Sequence, residues 1–180
     1  MKFRIKRVKA LCLLPLLVGF AQQAISAVQG QGRVNMQGAI TEAACAIATE
    51  SREQIINMET LPLSDIYRDG KGRTVPFSIE LINCILERAD KTLPDWKQFQ
   101  VTFDGYAEGE MFGIEGGVSG VGLVITDAGG NRAMPGKPLP PGDLRQGNYR
   151  LDYAMTVTAN NQPLKTGHYF SSVRFKMDYY

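Results

Sequence analysis

Gly167-His168-Tyr169-Phe170-Ser171-Ser172-Val173-Arg174-Phe175-Lys176-Met177-Asp178-Tyr179-Tyr180 closes the chain. It reads as one strand. Tyr169, Val173, Phe175, Met177 and Tyr179 fall on one face, and Arg174, Lys176 and Asp178 on the other. A domain that ends on an apolar strand leaves open what that strand pairs with. Far upstream, Val34, Met36 and Ile40 share a face of a second alternating run, Gly32 to Ile40. Two strand-like ends lead to the expectation that another chain completes the domain.

The first residues read as an export leader. Lys2, Arg4, Lys6, Arg7 and Lys9 form its basic end, and the 11 residues Ala10 to Phe20 its apolar core. Eleven residues are too few to span a bilayer. Small residues follow at Ala24-Ile25-Ser26-Ala27, so cleavage is expected after Ala27, and Cys12 is lost with the leader. The remaining 153 residues are the size of one domain. Such a chain buries about 68–70% of its unfolded surface. The leader holds five of the 20 basic residues and none of the 18 acidic ones, so the remainder has a net charge of −3. Nothing in it forms the clustered positive face that nucleic acid requires.

Two cysteines remain, Cys45 and Cys84. In an exported chain an even count reads most simply as one disulfide. The alternative is a pair of buried thiols. A bridge closing about 40 residues stabilises the fold by roughly 4 kcal/mol in the chain-entropy account.

Period-two segments dominate the rest. Val75, Phe77, Ile79 and Leu81 alternate along Thr74 to Leu81, with Pro76 marking an edge or a bulge at the start. Phe99, Val101 and Phe103 precede an Asp104-Gly105 turn; Val121, Leu123 and Ile125 precede Gly129-Gly130-Asn131. Tyr149, Leu151, Tyr153, Met155 and Val157 make the longest internal strand, closed by Asn160-Asn161. Gln54 to Met58 is a short apolar piece, and a single helical turn is expected around Ser64-Asp65-Ile66. Leu86 to Trp96 reads as a charged surface connection, with Trp96 in polar surroundings. Ala133 to Gly147, with Pro135, Pro138, Pro140 and Pro141, reads as an irregular loop. About seven strands between Gly-, Asn- and Pro-rich turns predict an all-β sandwich.

Chemistry finds little to stand on. His168 is the only histidine and lacks partners for a zinc site or a catalytic role. Ser171 and Ser172 beside it point to opposite faces of a strand. The run Gly113 to Gly122 lacks the Lys-Ser/Thr and the helix of a phosphate loop. Asp104, Glu110 and Asp127 are read as turn residues, and Tyr149, Tyr153, Tyr169 and Phe170 as core or groove aromatics. No enzyme, metal or cofactor is expected.

The residues do resemble a family. Gln29-Gly30-Gln31-Gly32-Arg33-Val34-Asn35-Met36-Gln37-Gly38 followed by Ala43-Ala44-Cys45 is similar to the N-terminal extension and first strand of chaperone–usher pilins. Leu81-Ile82-Asn83-Cys84 and Val101-Thr102-Phe103-Asp104-Gly105 are similar to internal pilin segments. The C-terminal stretch resembles the pilin signature, with Gly167 fourteen from the end and Tyr179 penultimate.

The resemblance implies an incomplete immunoglobulin-like sandwich lacking its final strand, with a free N-terminal donor strand. Residues 1–27 would be the leader, 28–38 the donor extension and 39–180 the pilin domain. Gly30, Gly32, Val34 and Met36 would form the donor face. Gly167, Tyr169, Val173, Phe175, Met177 and Tyr179 would line the groove that receives a chaperone strand and then the next subunit's extension. The implied partners are a periplasmic pilus chaperone, an outer-membrane usher and other pilin subunits. The implied destination is a surface fimbrium that supports adhesion. The ending Phe175-Lys176-Met177-Asp178-Tyr179-Tyr180 looks closer to minor pilins, including the terminating subunit at a pilus base. A receptor-binding adhesin is the weaker alternative, because tip adhesins carry a separate lectin domain.

Overall fold

A computed structural model of the chain describes residues 33–38 and 42–180. The chain divides into two units, Met1–Ala39 and Ile40–Tyr180. Of the first, residues 33–38 are exposed and belong to no helix or strand. The second unit holds every named element. In chain order these are β1 (Ala46–Ile47), α1 (Thr49–Arg52), α2 (Leu63–Asp69), β2 (Lys71–Cys84), β3 (Gln98–Gly105), β4 (Ala107–Glu108), β5 (Met111–Phe112), β6 (Glu115–Gly116), β7 (Val121–Asp127), β8 (Arg132–Ala133), β9 (Gly142–Asp143), β10 (Gly147–Ala159), β11 (Tyr169–Phe170) and β12 (Val173–Tyr179).

Every named strand pairing is antiparallel. The larger sheet runs β1-β2-β10-β7-β5-β4, with β8 also on β7. Its spine is the long pairing of β10 with β2, in which Leu151 faces Ile79 and Tyr153 faces Phe77. Alternation then sends Ile79, Leu81, Tyr153, Val157, Leu123 and Ile125 inward, where all are buried. The smaller sheet runs β12-β3-β9. Phe103 of β3 joins the two layers. Its ring meets Tyr153 edge-on at 5.1 Å and Phe77 at 6.2 Å, while Phe77 and Tyr153 stack at 5.4 Å. Cys45 and Cys84 are joined by a disulfide between the start of β1 and the end of β2.

Several local expectations change. The C-terminal stretch is two strands, not one. Tyr169–Phe170 pairs with β6, whereas Val173–Tyr179 pairs with β3. The break falls at Ser171-Ser172, where the Ser171 hydroxyl donates to the Gly113 carbonyl at 2.8 Å. The expected helical turn is the seven-residue α2, stopped by left-handed Gly70 (φ 70°), whose N–H bonds to the Ile66 carbonyl. The β2 strand runs well past the expected Thr74 and Leu81 limits. Pro76 lies opposite Ala154 of β10, and β1 reaches only Leu81 and Ile82 on the other side of β2. Pro76 thus sits where its missing N–H breaks no ladder.

The glycine run is explained by close backbone approach. Gly117 packs on Gly167, and a Cβ on Gly167 would lie 2.7 Å from the Gly117 carbonyl carbon. Gly120 (φ 81°) meets the Gln162 and Pro163 carbonyls in the same way. Because Phe103 is the contact between layers, Phe103→Ala is expected to cost about 3–5 kcal/mol. Urea unfolding of the purified chain measures this; a loss under about 1 kcal/mol would place the inter-layer contact elsewhere.

Candidate functional site: an open sheet edge beside a half-buried core

The core changes character towards β12. Val101 and Phe103 of β3 are buried, yet the inward residues of the neighbouring strand (Val173, Phe175, Met177 and Tyr179) are only half-buried. Across from them Phe77, Leu151 and Met155 are half-buried as well. A strand paired on both sides in a closed sandwich buries its inward face. Among the described residues, β12 pairs with β3 alone. Its other edge offers unpaired backbone groups next to uncovered apolar side chains.

The far side of the smaller sheet is treated differently. There the proline-rich loop runs along β3. The Leu139 N–H bonds to the Val101 carbonyl at 2.9 Å and the Gly136 N–H to the Phe103 carbonyl at 2.8 Å, with Thr102 bridged to Pro138. Pro135, Pro138, Pro140 and Pro141 have no N–H to offer a further strand. One margin of this sheet is covered, and the other is unpaired among the described residues.

Beside the start of β12 lies a cleft of about 1050 Å³. Leu123, Met155, Val157 and Ile114 line its apolar part, and Gly167 to Ser171 with Val173 form one wall. The segment Gln54 to Leu61, which belongs to no helix or strand, forms the other. No backbone–backbone hydrogen bond joins residues 53–61 to the described residues. The segment is held by side chains: Gln54 Nε2 donates to the Ser78 carbonyl at 2.9 Å, and Arg73 pairs with Glu59 at 3.2 Å. An unpaired wall thus lies near an unpaired strand edge.

Tyrosines span both ends. The Tyr169 hydroxyl donates to the Glu59 carbonyl at 3.3 Å, and that of Tyr179 to the Cys45 carbonyl at 3.4 Å. Beyond Tyr179, Trp96 meets its ring edge-on at 6.1 Å and carries the Arg88 guanidinium 3.4 Å above its own ring. Trp96 is therefore half-buried in a cation–π stack rather than free in polar surroundings. Burial, with Tyr149 nearby, pushes the Tyr179 hydroxyl up to about 12. Burial also raises Tyr153, with Asp127 adding to it, and Tyr169.

The sequence-expected groove residues thus fall along one margin. Tyr169 and Val173 line the cleft, and Phe175, Met177 and Tyr179 continue along β12. Gly167 lines the cleft but belongs to no strand. Phe170, expected as a core or groove aromatic, lines the cleft while 60% exposed. Of the expected donor face, Val34 and Met36 are 96% and 95% exposed and belong to no strand; Gly30 and Gly32 lie outside the described residues. Sequence reading missed the wall Gln54 to Leu61, whose signal was the short apolar piece at Ile55, Ile56 and Met58. Among the described residues no group of three His, Cys, Asp or Glu side chains is placed to hold a metal.

The described residues thus form an all-β sandwich in which β12, paired on one side only, lies beside an apolar-lined cleft. No family model matches the chain. The PRS and PAP fimbrial minor pilin proteins of Escherichia coli are each 34% identical to it over 151 residues, covering 82% of this chain and 77% of theirs. The major MR/P fimbria protein of Proteus mirabilis is 33% identical over 138 residues, covering 74% of this chain and 75% of its own. Among solved structures, the P pilus rod subunit PapA has the same fold, with a TM-score of 0.67 and 20% identity over 77% of this chain and all of that one. A chaperone–usher pilus subunit has a TM-score of 0.66 and 24% identity over 87% of this chain and all of that one. The chain belongs to the fimbrial pilin subunits.

The raised Tyr179 sets an alkaline limit. Below about pH 10 the phenol is protonated folded or unfolded, so its contribution is complete. Between that and about 12 the unfolded chain releases the proton first, and stability falls with rising pH. The thermal midpoint is expected to drop across this window, and to drop less in Tyr179→Phe. An identical slope in the variant would remove Tyr179 from the account.

Proposed function

We propose that this pilin is a structural subunit of a surface fimbrium, assembled by donor-strand exchange and supporting cell adhesion. The half-buried inward face of β12, beside an unpaired edge, carries the reading. A periplasmic chaperone lends a strand to this edge first. At the outer-membrane usher the extension of a neighbouring subunit replaces it. Residues 1–27 serve as the export leader, 28–38 as the donor extension and 39–180 as the pilin domain. Gly30, Gly32, Val34 and Met36 are its donor face, and Tyr169, Val173, Phe175, Met177 and Tyr179 its receiving line.

Magnitudes favour acceptance of a strand. A donor that buries the two apolar side chains Val34 and Met36 contributes about 1.5–3 kcal/mol for each large one, besides new backbone bonds. The resident Tyr169–Glu59 contact is one hydrogen bond, worth about 0.5–1.5 kcal/mol. The incoming strand runs antiparallel to β12, the more stable ladder.

Met36→Asp puts a charge on the donor face while leaving the domain untouched. Assembly onto a neighbour is expected to fall by at least about a hundredfold, from the cost of burying an unpaired carboxylate, with chaperone binding unchanged. Counting fibres and co-purified chaperone tests both. A chaperone-free, stable, soluble monomer of the mature chain would remove the basis of the reading.

The Tyr169–Glu59 bond across one end of the cleft supports a second reading, in which that end stays shut and the subunit terminates the fibre at its base. Fibre length separates the two. Loss of a terminator lengthens and sheds fibres, whereas loss of an elongating subunit shortens or abolishes them. Tyr169→Phe, which opens only the clasp, is expected to leave length unchanged if the subunit elongates and to increase it if the subunit terminates.

A further inference from the structure

We propose that successive copies of this chain also touch through their folded bodies: Ile85 of the donor molecule packs on the Tyr106–Phe170 face of the molecule that accepts its extension. This rests on the strand-exchange reading above.

Chain direction and chain length bring the two faces together. A donor running antiparallel to β12 leaves the cleft where β12 begins, at Val173. Only five residues separate Met36 from Glu42, a reach of about 20–22 Å at most. From Glu42 onward the donor is fixed to its own domain. The Glu42 carboxylate accepts the Ala89 N–H, and the Ala44 carbonyl accepts the Ile85 N–H at 2.8 Å. The donor's body therefore comes to rest against the Val173 end of the acceptor, Ile85 side first.

Each end carries apolar surface that its own fold leaves uncovered. At the acceptor's end Gly105 pairs with Val173, and Tyr106 follows, 63% exposed. Its ring covers Gly113, where a side chain would collide with it, and its carbonyl accepts the Gly113 N–H at 2.7 Å. The Ser171 hydroxyl bonds to the same glycine's carbonyl, which brings the neighbouring Phe170, 60% exposed, to this corner. At the donor's end Ile85 is 59% exposed directly after Cys84, and Leu93 is also exposed. Single exposed apolar residues are common on any surface. Here they sit at the two places that the short connection forces together.

The two faces lie at opposite ends of one domain. Tyr106 is near the first residue of β12, while Tyr179 at its far end bonds to Cys45, the disulfide partner of Cys84. Such a contact joins unlike surfaces, head to tail. Repeated, it extends an open fibre rather than closing a dimer. It also adds a second point of contact to the joint made by the inserted strand.

Photocrosslinking in fibres sheared from cells tests it, with p-benzoylphenylalanine replacing Tyr106 in the full chain. The expected product joins position 106 to residues 85–93 of the adjacent copy, within ladders that resist unheated detergent. Ile85→Ser is expected to lower that product about tenfold and leave the ladder intact. Ladders with no such product, a product elsewhere, or a product on a different subunit overturn the contact and leave strand exchange standing. Absence of any ladder overturns both.

Discussion

The backbone groups along the outer side of β12 have no partner in the described residues, and the apolar residues beneath them are only half covered. These two deficits share one cause. A sandwich closes its core by laying strands over both margins of both sheets, and here one margin ends a strand early. The half-buried state of Phe175, Met177, Met155 and Leu151 follows from that missing cover, not from weak hydrophobicity. The proposed exchange of strands is the process by which such a deficit becomes a fibre.

A bare edge is hazardous because it pairs with anything extended. The fold limits the hazard to one place. The proline-rich loop from Ala133 to Gly147 closes the opposite margin of the smaller sheet with residues that cannot continue a ladder. Pro76 occupies the open side of β2, where it discourages a second pairing. The disulfide ties the entry of the domain to the end of β2, next to the Tyr179–Cys45 bond. Direction in a polymer depends on such asymmetry.

The relatives agree with this architecture. Their similarity extends over most of the chain, and the solved pilus subunits share the fold at lower identity. The body-to-body contact proposed between Ile85 and the Tyr106–Phe170 corner adds rigidity to a joint whose strength comes from the inserted strand. Strength and stiffness would then reside in different residues of the same interface.

Alternation in sequence was enough to mark β2, β3, β7, β10 and β12. A strand half buried in a sandwich must repeat every two residues, whatever it pairs with. The two cysteines and the turn at Gly129-Gly130-Asn131 were legible for equally local reasons, whereas Asp104-Gly105, expected as a turn, ends β3 paired with Arg174 and Val173, and the chain turns at Gly109-Glu110 instead. Pairing was not legible. Nothing local distinguishes Tyr169 from Val173, yet a break at Ser171-Ser172 sends them to different partners. The apolar piece Ile55, Ile56 and Met58 marks the segment Gln54 to Leu61 without showing which surface it faces, and nothing local shows that Gly117 and Gly167 touch. Those facts depend on which distant segments share space, so only the folded chain could decide that β12 pairs on one side alone among the described residues.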